Sequence, residues 1–487
     1  MKIYKKLAGQ TIIYGMGTVV PRLLNYAILT FYYTRLFTVE QFGVITELYA
    51  YVTFLLVILT FGTETGFFKF ATSHSENSVF STIATFLFTT SSLFLLLIFS
   101  YRGKISSALE YSGNVEFISM LSAIVAIDAF STIGFAKLRL DENGVKFSAL
   151  KIINVVVTIF LVLFFYEFLP FLIAKSKYSF FINIRRDVTF VLVANLLASA
   201  FVLILLLPEY VKLKYRFERK LLVNILMYSL PLLISGLAGI INETLDRILL
   251  KHLISNSNDA IYALGIYGAN YKIAILLMIF IQMFRYAIEP FYFNYYSQKD
   301  HKEIYAQIMR LFIGSMIILC MIIMFYIDYI KFFIDPKFHE GLRIVPIILA
   351  SYVFYGIFFN LSIWYKLTKK TVYAIVLTTA GALITVCINV IFVPKFSYIA
   401  SAYGHLCSYS IMMILSFFIG RKFMKIDYGL VKIMEFVLIA IAIFALHSFL
   451  SNTMMNDIVS GLMIFAYAYY IIRREGIIKN SYLFKWK

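Results

Sequence analysis

Apolar runs of about 20 residues recur from one end of the sequence to the other, and each can cross a hydrocarbon core about 30 Å thick as an α-helix. Hydrophobic residues make up 61% of the chain and charged residues only 14%, whereas about a quarter of a soluble domain is charged. The runs lack the sustained alternation that a transmembrane β-barrel requires. The sequence therefore predicts an all-α polytopic membrane protein.

The apolar runs predict about fourteen transmembrane helices joined by short loops. Because no loop is long enough for a soluble domain, any binding site must lie inside the helix bundle or at its mouths. The predicted spans lie near 8–35, 42–67, 79–101, 115–136, 149–172, 188–208, 221–250, 262–289, 305–327, 342–365, 371–394, 398–420, 431–450 and 456–472.

The distribution of Lys and Arg predicts the orientation of these spans. Lys and Arg are more than twice as frequent in the N-terminus and every second loop as in the intervening loops. Since positive loops stay in the cytoplasm, both termini are predicted to be cytoplasmic. The loop after span five opposes the bias with Lys175, Lys177, Arg185 and Arg186. We interpret it as a local exception, with a substrate-facing patch as the alternative.

An internal repeat relates the two halves of the chain. Blocks that begin near residues 14 and 228 match at Arg35 with Arg247 and at Gly43 with Gly265. Each block begins with a helix that leaves the cytoplasm, which is typical of parallel repeats related by an axis along the membrane normal. Such repeats can rock about a central cavity and give alternating access.

The repeat predicts three parts of the chain. Two six-helix lobes are expected to surround a central cavity, and two further helices with a cytoplasmic tail follow them. The predicted boundaries are 1–210 for the first lobe, 211–425 for the second and 426–487 for the added helices and tail.

Several short motifs follow one another in a familiar order. They are Arg35 with Phe42-Gly43, then Pro231, Asp246-Arg247 and Gly265-Ile266-Tyr267, then Asn389 with Pro394-Lys395. In this order the chain resembles the Wzx-type polysaccharide (O-antigen) flippases of the multidrug/oligosaccharidyl-lipid/polysaccharide (MOP) exporter superfamily. It departs from them after Pro394, where the next glycine comes late, at Gly404.

The resemblance implies a carrier, not an enzyme, in the bacterial inner membrane. It implies that undecaprenyl-diphosphate-linked oligosaccharide, such as an O-antigen repeat unit for lipopolysaccharide, moves from the inner to the outer leaflet by alternating access. Membrane lipids and the polysaccharide polymerase machinery are the partners this implies. No cofactor is predicted, since the sequence lacks a phosphate-binding GxxxxGK[ST] loop. Coupling to H⁺ or Na⁺ is left open.

Ionisable residues inside membrane spans are costly and usually face a cavity or a partner. Arg22 follows Pro21 deep in span one, with Asn25 near it on the same face. Lys272 and Arg285 lie within span eight. Because cationic side chains suit diphosphate oxygens, we predict that Arg22, Asn25, Lys272 and Arg285 line a cationic cavity for the substrate.

Further charges are predicted to act as gates or counter-charges. Glu64 and Arg285 occupy nearly equivalent depths in the two repeats. Either they pair across the pseudo-twofold axis as an inner gate, or both simply lie at the cytoplasmic interface. Asp128 and Glu289 are candidate counter-charges. The remaining candidates form either an outer gate or simply the water-exposed end of a long helix. They are Arg35, Glu243, Asp246 and Arg247.

Three other functions compete with this interpretation. A multidrug or organic-cation antiporter of the same superfamily would need an unpaired deep carboxylate, for which Asp128 is the one good candidate. A lipid II flippase would share both the architecture and the lipid chemistry. A membrane-bound polymerase or ligase would need a sizeable outer loop with catalytic residues, which the predicted loops do not provide.

Overall fold

The structure, a computed structural model, describes residues 15–175, 187–211, 216–449 and 454–476. These residues are mostly α-helical, and no β-strand occurs among them. Within the described ranges, twelve helices are long and apolar enough to cross a membrane. The predicted class, an all-α polytopic membrane protein, is confirmed.

The helices are numbered here in chain order. Their bounds are α1, residues 15–36; α2, Val39–Phe70; α3, Glu76–Ala108; α4, Val115–Leu140; α5, Gly144–Leu172; α6, Thr189–Val211; α7, Arg219–Leu253; α8, Ser257–Tyr295; α9, His301–Phe325; α10, Pro336–Leu367; α11, Val372–Phe396; α12, Tyr398–Phe423; α13, Leu430–Ser448; and α14, Met454–Arg474.

The predicted total of fourteen spans is not confirmed. The twelve apolar helices are α2 to α13. The start of predicted span one, before residue 15, lies outside the described residues. The last predicted span corresponds to α14, which is helical but is not among the twelve.

The chain forms two compact units that divide between Gly268 and Ala269, inside α8. The three-part division at residues 210 and 425 stays a prediction. In the first unit, α4 packs against α2, α3 and α6, and α7 packs along α2. This last contact joins helices that the repeat assigns to different lobes.

The first unit contains an unusually close helix crossing at the two glycines that the repeat matches. A Cβ atom on Gly43 would lie 3.1 Å from the backbone nitrogen of Gly265 and 2.2 Å from the carbonyl oxygen of Ile261. A Cβ atom on Gly265 would lie only 2.0 Å from the carbonyl oxygen of Val39. Small residues allow such close approach between membrane helices, where lipid supplies no hydrophobic driving force for association. Both positions therefore require glycine.

A break divides α2 near its middle. Phe61 and Gly62 both adopt left-handed backbone angles, with φ of 50° and 65°. A Cβ atom on Gly62 would lie 3.0 Å from the carbonyl oxygen of Ser229 on α7. The break thus keeps the second part of α2 in contact with α7 and sets the position of Glu64, which follows it.

In the second unit, α12 packs against both α10 and α11, while α13 and α14 pack on α9. A buried ion pair fixes this last contact. The Nε and Nη2 atoms of Arg310 each donate to a different carboxylate oxygen of Glu475, both at 2.7 Å. Arg310 also donates to the carbonyl oxygen of Tyr428 at 3.3 Å. The two-pronged geometry satisfies both charges away from water.

Substitution Gly265→Ala tests the helix crossing. The new methyl group has no space beside Val39, so α2 and α8 must separate. Overpacking of this kind costs about 1–3 kcal/mol of stability. We expect a lower thermal midpoint for the purified protein, measured in detergent or nanodiscs.

The matched control is Gly103→Ala in α3, where a Cβ atom meets nothing within 4 Å. This control should leave the midpoint unchanged or raise it slightly, because Ala is the better helix former. Equal midpoints for Gly265→Ala and the wild type would show that the crossing is not tight.

Candidate functional site

A group of ionisable side chains from four helices lies together in the first unit. Lys151 on α5 is within electrostatic reach of Asp128, Glu64, Arg22 and Arg139. These residues come from α4, α2, α1 and α4 respectively. The group therefore combines three cations with two carboxylates. We call these five residues the cationic cluster.

Lys151 was not predicted as a site residue. Its span was expected to begin at 149, which would leave the lysine at the cytoplasmic boundary as an ordinary topological charge. In the structure α5 begins at Gly144, so Lys151 lies about 10 Å along the helix. Its ammonium group is 3.9 Å from the centre of the Phe135 ring. The residues between Gly144 and Lys151 are mixed in polarity, which hid this shift of the helix start.

Asp128 on α4 is engaged by neighbours within the first unit. It accepts a side-chain hydrogen bond from Ser199 on α6 and is attracted by Lys151. Its charge also reaches Tyr49 on α2, whose hydroxyl accepts a hydrogen bond from the amide nitrogen of Asn195. Asp128 thus lies within electrostatic reach of Lys151, and its role as a counter-charge stays a prediction.

Arg22 on α1 approaches α7. Tyr26, one turn further along α1, is within electrostatic reach of Arg22 and also of Glu243 and Arg247 on α7. The structure therefore brings three of the predicted site residues together around one tyrosine. Whether they bind substrate or form a gate stays a prediction.

The helical geometry changes next to Arg22. Residues Asn25–Thr30 form a π-helical turn, a feature that occurs often at functional sites. The helix continues through Pro21, which removes one backbone donor and loosens the hydrogen-bond ladder. Asn25, predicted with Arg22 as a substrate ligand, is the first residue of this turn.

Glu64 forms an ion pair with Arg139 on α4. The guanidinium of Arg139 also lies 5.0 Å from the centre of the Phe68 ring. Arg285, the partner predicted for Glu64, is paired within the second unit instead. The predicted Glu64–Arg285 gate stays a prediction.

A second charged group lies near the C-terminal ends of α8 and α10, in the second unit. Glu289 accepts from Lys366 at 2.6 Å and lies 3.5 Å from Arg285. The Phe359 ring is 4.9 Å from the Arg285 guanidinium. Glu289 is therefore a counter-charge to two cations. Lys272, further towards the start of α8, is half-buried and makes contacts of its own.

A buried ion pair joins α2 to the end of α7. The ammonium of Lys251 lies 3.0 Å from Glu47, and both side chains are almost fully buried, with 1% and 0% exposed. Lys251 also donates to the carbonyl oxygen of Leu109 at 2.7 Å. The Tyr111 hydroxyl donates to Glu47, and its ring lies 4.1 Å from the Lys251 ammonium. We call Glu47, Lys251 and Tyr111 the α2–α7 latch.

The predicted outer-gate residues have different surroundings. Asp246 is fully buried and accepts a hydrogen bond from the Tyr267 hydroxyl. Glu243 and Arg247 are half-buried. Arg35 is exposed and donates to its own helix, to the carbonyl oxygen of Phe31 at 3.0 Å.

Sequence analysis missed Glu47, although a carboxylate inside a predicted span was a signal that could have found it.

An apolar cavity of about 600 Å³ lies in the second unit between α9, α10, α12 and α13. Side chains such as Ile313, Val353, Phe417 and Val437 line it. Val437 and the neighbouring Ile441 are partly exposed, at 39% and 58%. The cavity is therefore open on the side of α13 and offers a hydrocarbon surface.

The helical fold is similar to those of two solved membrane transporters. The chain is similar to lipid II flippase MurJ in an inward closed conformation, with a TM-score of 0.72 and 15% identity, covering 97% of this chain and 100% of that one. It is also similar to an inward-facing multidrug resistance MATE family transporter, with a TM-score of 0.63 and 15% identity, covering 85% and 97%.

The model of the family described as polysaccharide biosynthesis protein matches residues 33–337. Since the match spans more than half of the sequence, the chain belongs to the polysaccharide biosynthesis protein family. Comparison with curated protein sequences gives no significant match. The family resemblance drawn from the motifs is confirmed.

Substitution Lys251→Met tests the latch. It leaves the Glu47 carboxylate buried without its cation, and removal of one partner of a buried pair costs about 3–5 kcal/mol. We expect a clear fall in the thermal midpoint of the purified protein.

The double variant Glu47→Gln with Lys251→Met should recover much of that loss, because neither charge is then buried alone. A double variant as unstable as Lys251→Met would contradict the latch. Glu435→Gln, which breaks the exposed Arg474–Glu435 pair, is the surface control and should change little.

Proposed function

We propose that this protein is a flippase that moves undecaprenyl-diphosphate-linked oligosaccharide, an O-antigen or other surface polysaccharide repeat unit, from the inner to the outer leaflet. The observation that carries the proposal is the cationic cluster, which four helices of a polysaccharide biosynthesis family member bring together. The protein acts as a carrier and makes or breaks no covalent bond.

The cationic cluster suits a diphosphate. A guanidinium can donate two parallel hydrogen bonds to phosphate oxygens, and an ammonium acts as a point charge. With all five side chains ionised, the cations of the cluster exceed its carboxylates by one positive charge. An anionic head group is complementary to this excess charge and can bind the cations beside the carboxylates. Lys272 and Arg285 are proposed to add to the cationic lining.

The apolar cavity of the second unit supports the lipid part of the substrate. Its hydrocarbon lining matches a polyprenyl chain, whose transfer from one apolar surface to another requires little desolvation. The second unit thus has, by itself, an apolar surface that is complementary to an isoprenoid tail.

The proposed topology places the protein in the inner membrane with both termini cytoplasmic. A membrane potential that is negative inside favours outward movement of an anionic head group by about 2.3 kcal/mol per charge per 100 mV. Two lobes, residues 1–210 and 211–425, are proposed to rock around the cavity, with Glu64–Arg285 and the outer charges as gates. Delivery to the polymerase machinery and coupling to H⁺ or Na⁺ belong to the same proposal.

An organic-cation antiporter needs a deep carboxylate that is available to cations and protons. Asp128 is engaged by Ser199 and Lys151 in this structure, which favours the anionic substrate over a cationic drug.

Deletion of the gene tests the function directly. Lipid-linked oligosaccharide should accumulate on the cytoplasmic face of the inner membrane, and surface glycan should be lost and then restored by the intact gene. The measurement is the accessibility of the oligosaccharide to a lectin or glycosidase in oriented vesicles. Unchanged surface glycan together with altered sensitivity to cationic dyes would favour the drug exporter. Rescue of a strain that lacks lipid II flipping would favour the lipid II flippase.

Variants of the cationic cluster test the binding chemistry. Arg22→Ala and Lys151→Met should each reduce complementation at least about tenfold, since a charged hydrogen bond contributes about 1.5–3 kcal/mol. Lys151→Arg keeps the charge and should retain more activity.

Arg102→Ala, at an exposed position on α3, controls for the loss of any cation. Full complementation by both Arg22→Ala and Lys151→Met, at normal protein levels, would exclude the cluster as the head-group site.

A further inference from the structure

A partly open cavity of about 430 Å³, lined by both polar and apolar side chains, lies in the first unit, away from the cationic cluster. It is formed where three helices begin, at the N-terminal ends of α2, α4 and α6. Its volume falls in the range of about 300–1,000 Å³ that is usual for small-molecule sites. The proposed topology puts these helix ends on the outer side of the membrane.

Asn114 is placed in this cavity in an unusual way. It occupies the N-cap position of α4, where an asparagine normally accepts a hydrogen bond from a backbone N–H of the first turn. Its side chain forms no such cap bond, although it is one of the residues that line the cavity. Its amide has two donors and an acceptor, and none of them is used to cap α4.

Two further polar side chains line the cavity. Gln41 is held by a capping box, in which its side-chain oxygen accepts from the backbone N–H of Thr38 at 3.1 Å. One carboxylate oxygen of Asp187 accepts from the backbone N–H of Thr189 at 3.0 Å. These local bonds fix both groups in place. The Gln41 NH₂ group can donate, and each carboxylate oxygen has more than one acceptor site.

Aromatic rings form the apolar part of the wall. Tyr111 and Phe117 pack edge to face with ring centres 6.0 Å apart, and both are buried, with 5% and 3% exposed. They are rigid because Tyr111 is also held through its hydroxyl by Glu47. The wall therefore presents fixed ring edges beside fixed polar groups.

We propose that this cavity binds a sugar unit of the glycan at the outer mouth of the protein. A pyranose has vicinal hydroxyl groups that both donate and accept, and it has apolar C–H faces. The amide and carboxylate groups complement the hydroxyls, while the apolar side chains of the wall complement the C–H surface. The assignment rests on the proposed function, because the glycan is the hydroxyl-rich part of that substrate.

The position of the cavity gives the subsite a role in substrate release. Tyr111 belongs both to the cavity wall and to the α2–α7 latch, so the subsite adjoins the contact that joins helices of the two repeats. A sugar held here is separated from the cationic cluster, which the diphosphate requires. The subsite thus selects the glycan by its hydroxyl pattern while the cluster selects the head group.

Binding of a lipid-free glycan tests the subsite separately from flipping. The probe is the oligosaccharide released by mild acid from the host's surface polysaccharide, added to wild-type protein in nanodiscs. Saturation-transfer difference NMR should show binding, and Asn114→Ala should weaken it about tenfold, as expected for the loss of hydrogen bonds to a ligand.

Two variants control for folding. Asn114→Ser supplies a good helix cap and should lose the glycan as Asn114→Ala does, while keeping the wild-type thermal midpoint. Asn143→Ala removes the N-cap of α5, whose side chain accepts from the Lys146 N–H at 3.2 Å, and should bind the glycan normally.

The subsite is overturned if the wild-type protein does not bind the probe, or if Asn114→Ser binds it as well as the wild type does. In either case the gene-deletion result still decides the proposed function. If deletion leaves the lipid-linked oligosaccharide unaffected while the probe binds and Asn114→Ser abolishes binding, the cavity is a glycan site in a protein with another substrate.

Discussion

The cost of burying a charge away from water shapes the helix contacts of this protein. An ionised side chain that is removed from water requires an oppositely charged partner. In the first unit the buried Glu47 is paired with Lys251, and the part-exposed Glu64 is paired with Arg139. In the second unit Arg310 is paired with Glu475. Each pair joins different parts of the chain, so the requirement to neutralise charge also determines which helices are held together.

The fold class could be predicted from the sequence because membrane helices must satisfy their backbone hydrogen bonds internally and be apolar along their length. Hydropathy therefore located most helices to within a few residues. It misplaced the start of α5 because the residues before Val155 are mixed in polarity. That error of a few residues placed Lys151 at the start of the helix, whereas in the structure it lies about two turns further along.

The site was predicted less well than the fold. Arg22, Glu64 and Asp128 were recognised because a charge inside an apolar run is conspicuous. Their partners Arg139 and Lys151 were not recognised, since cations near the ends of spans are also expected from topology alone. Spacing along the chain indicates which residues share a helix face, but it does not indicate which helices are neighbours. The partner of each charge depends on which helices are neighbours.

The two repeat-matched glycines, Gly43 and Gly265, meet each other at one crossing. When equivalent positions of two copies touch, the contact is self-complementary, as in the isologous interface of a twofold-symmetric dimer. This one crossing therefore has the form of a twofold-symmetric contact, since Gly43 approaches Ile261 and Gly265 approaches Val39. The two halves nevertheless differ in their charged residues, with Glu64 in one and Arg285 in the other.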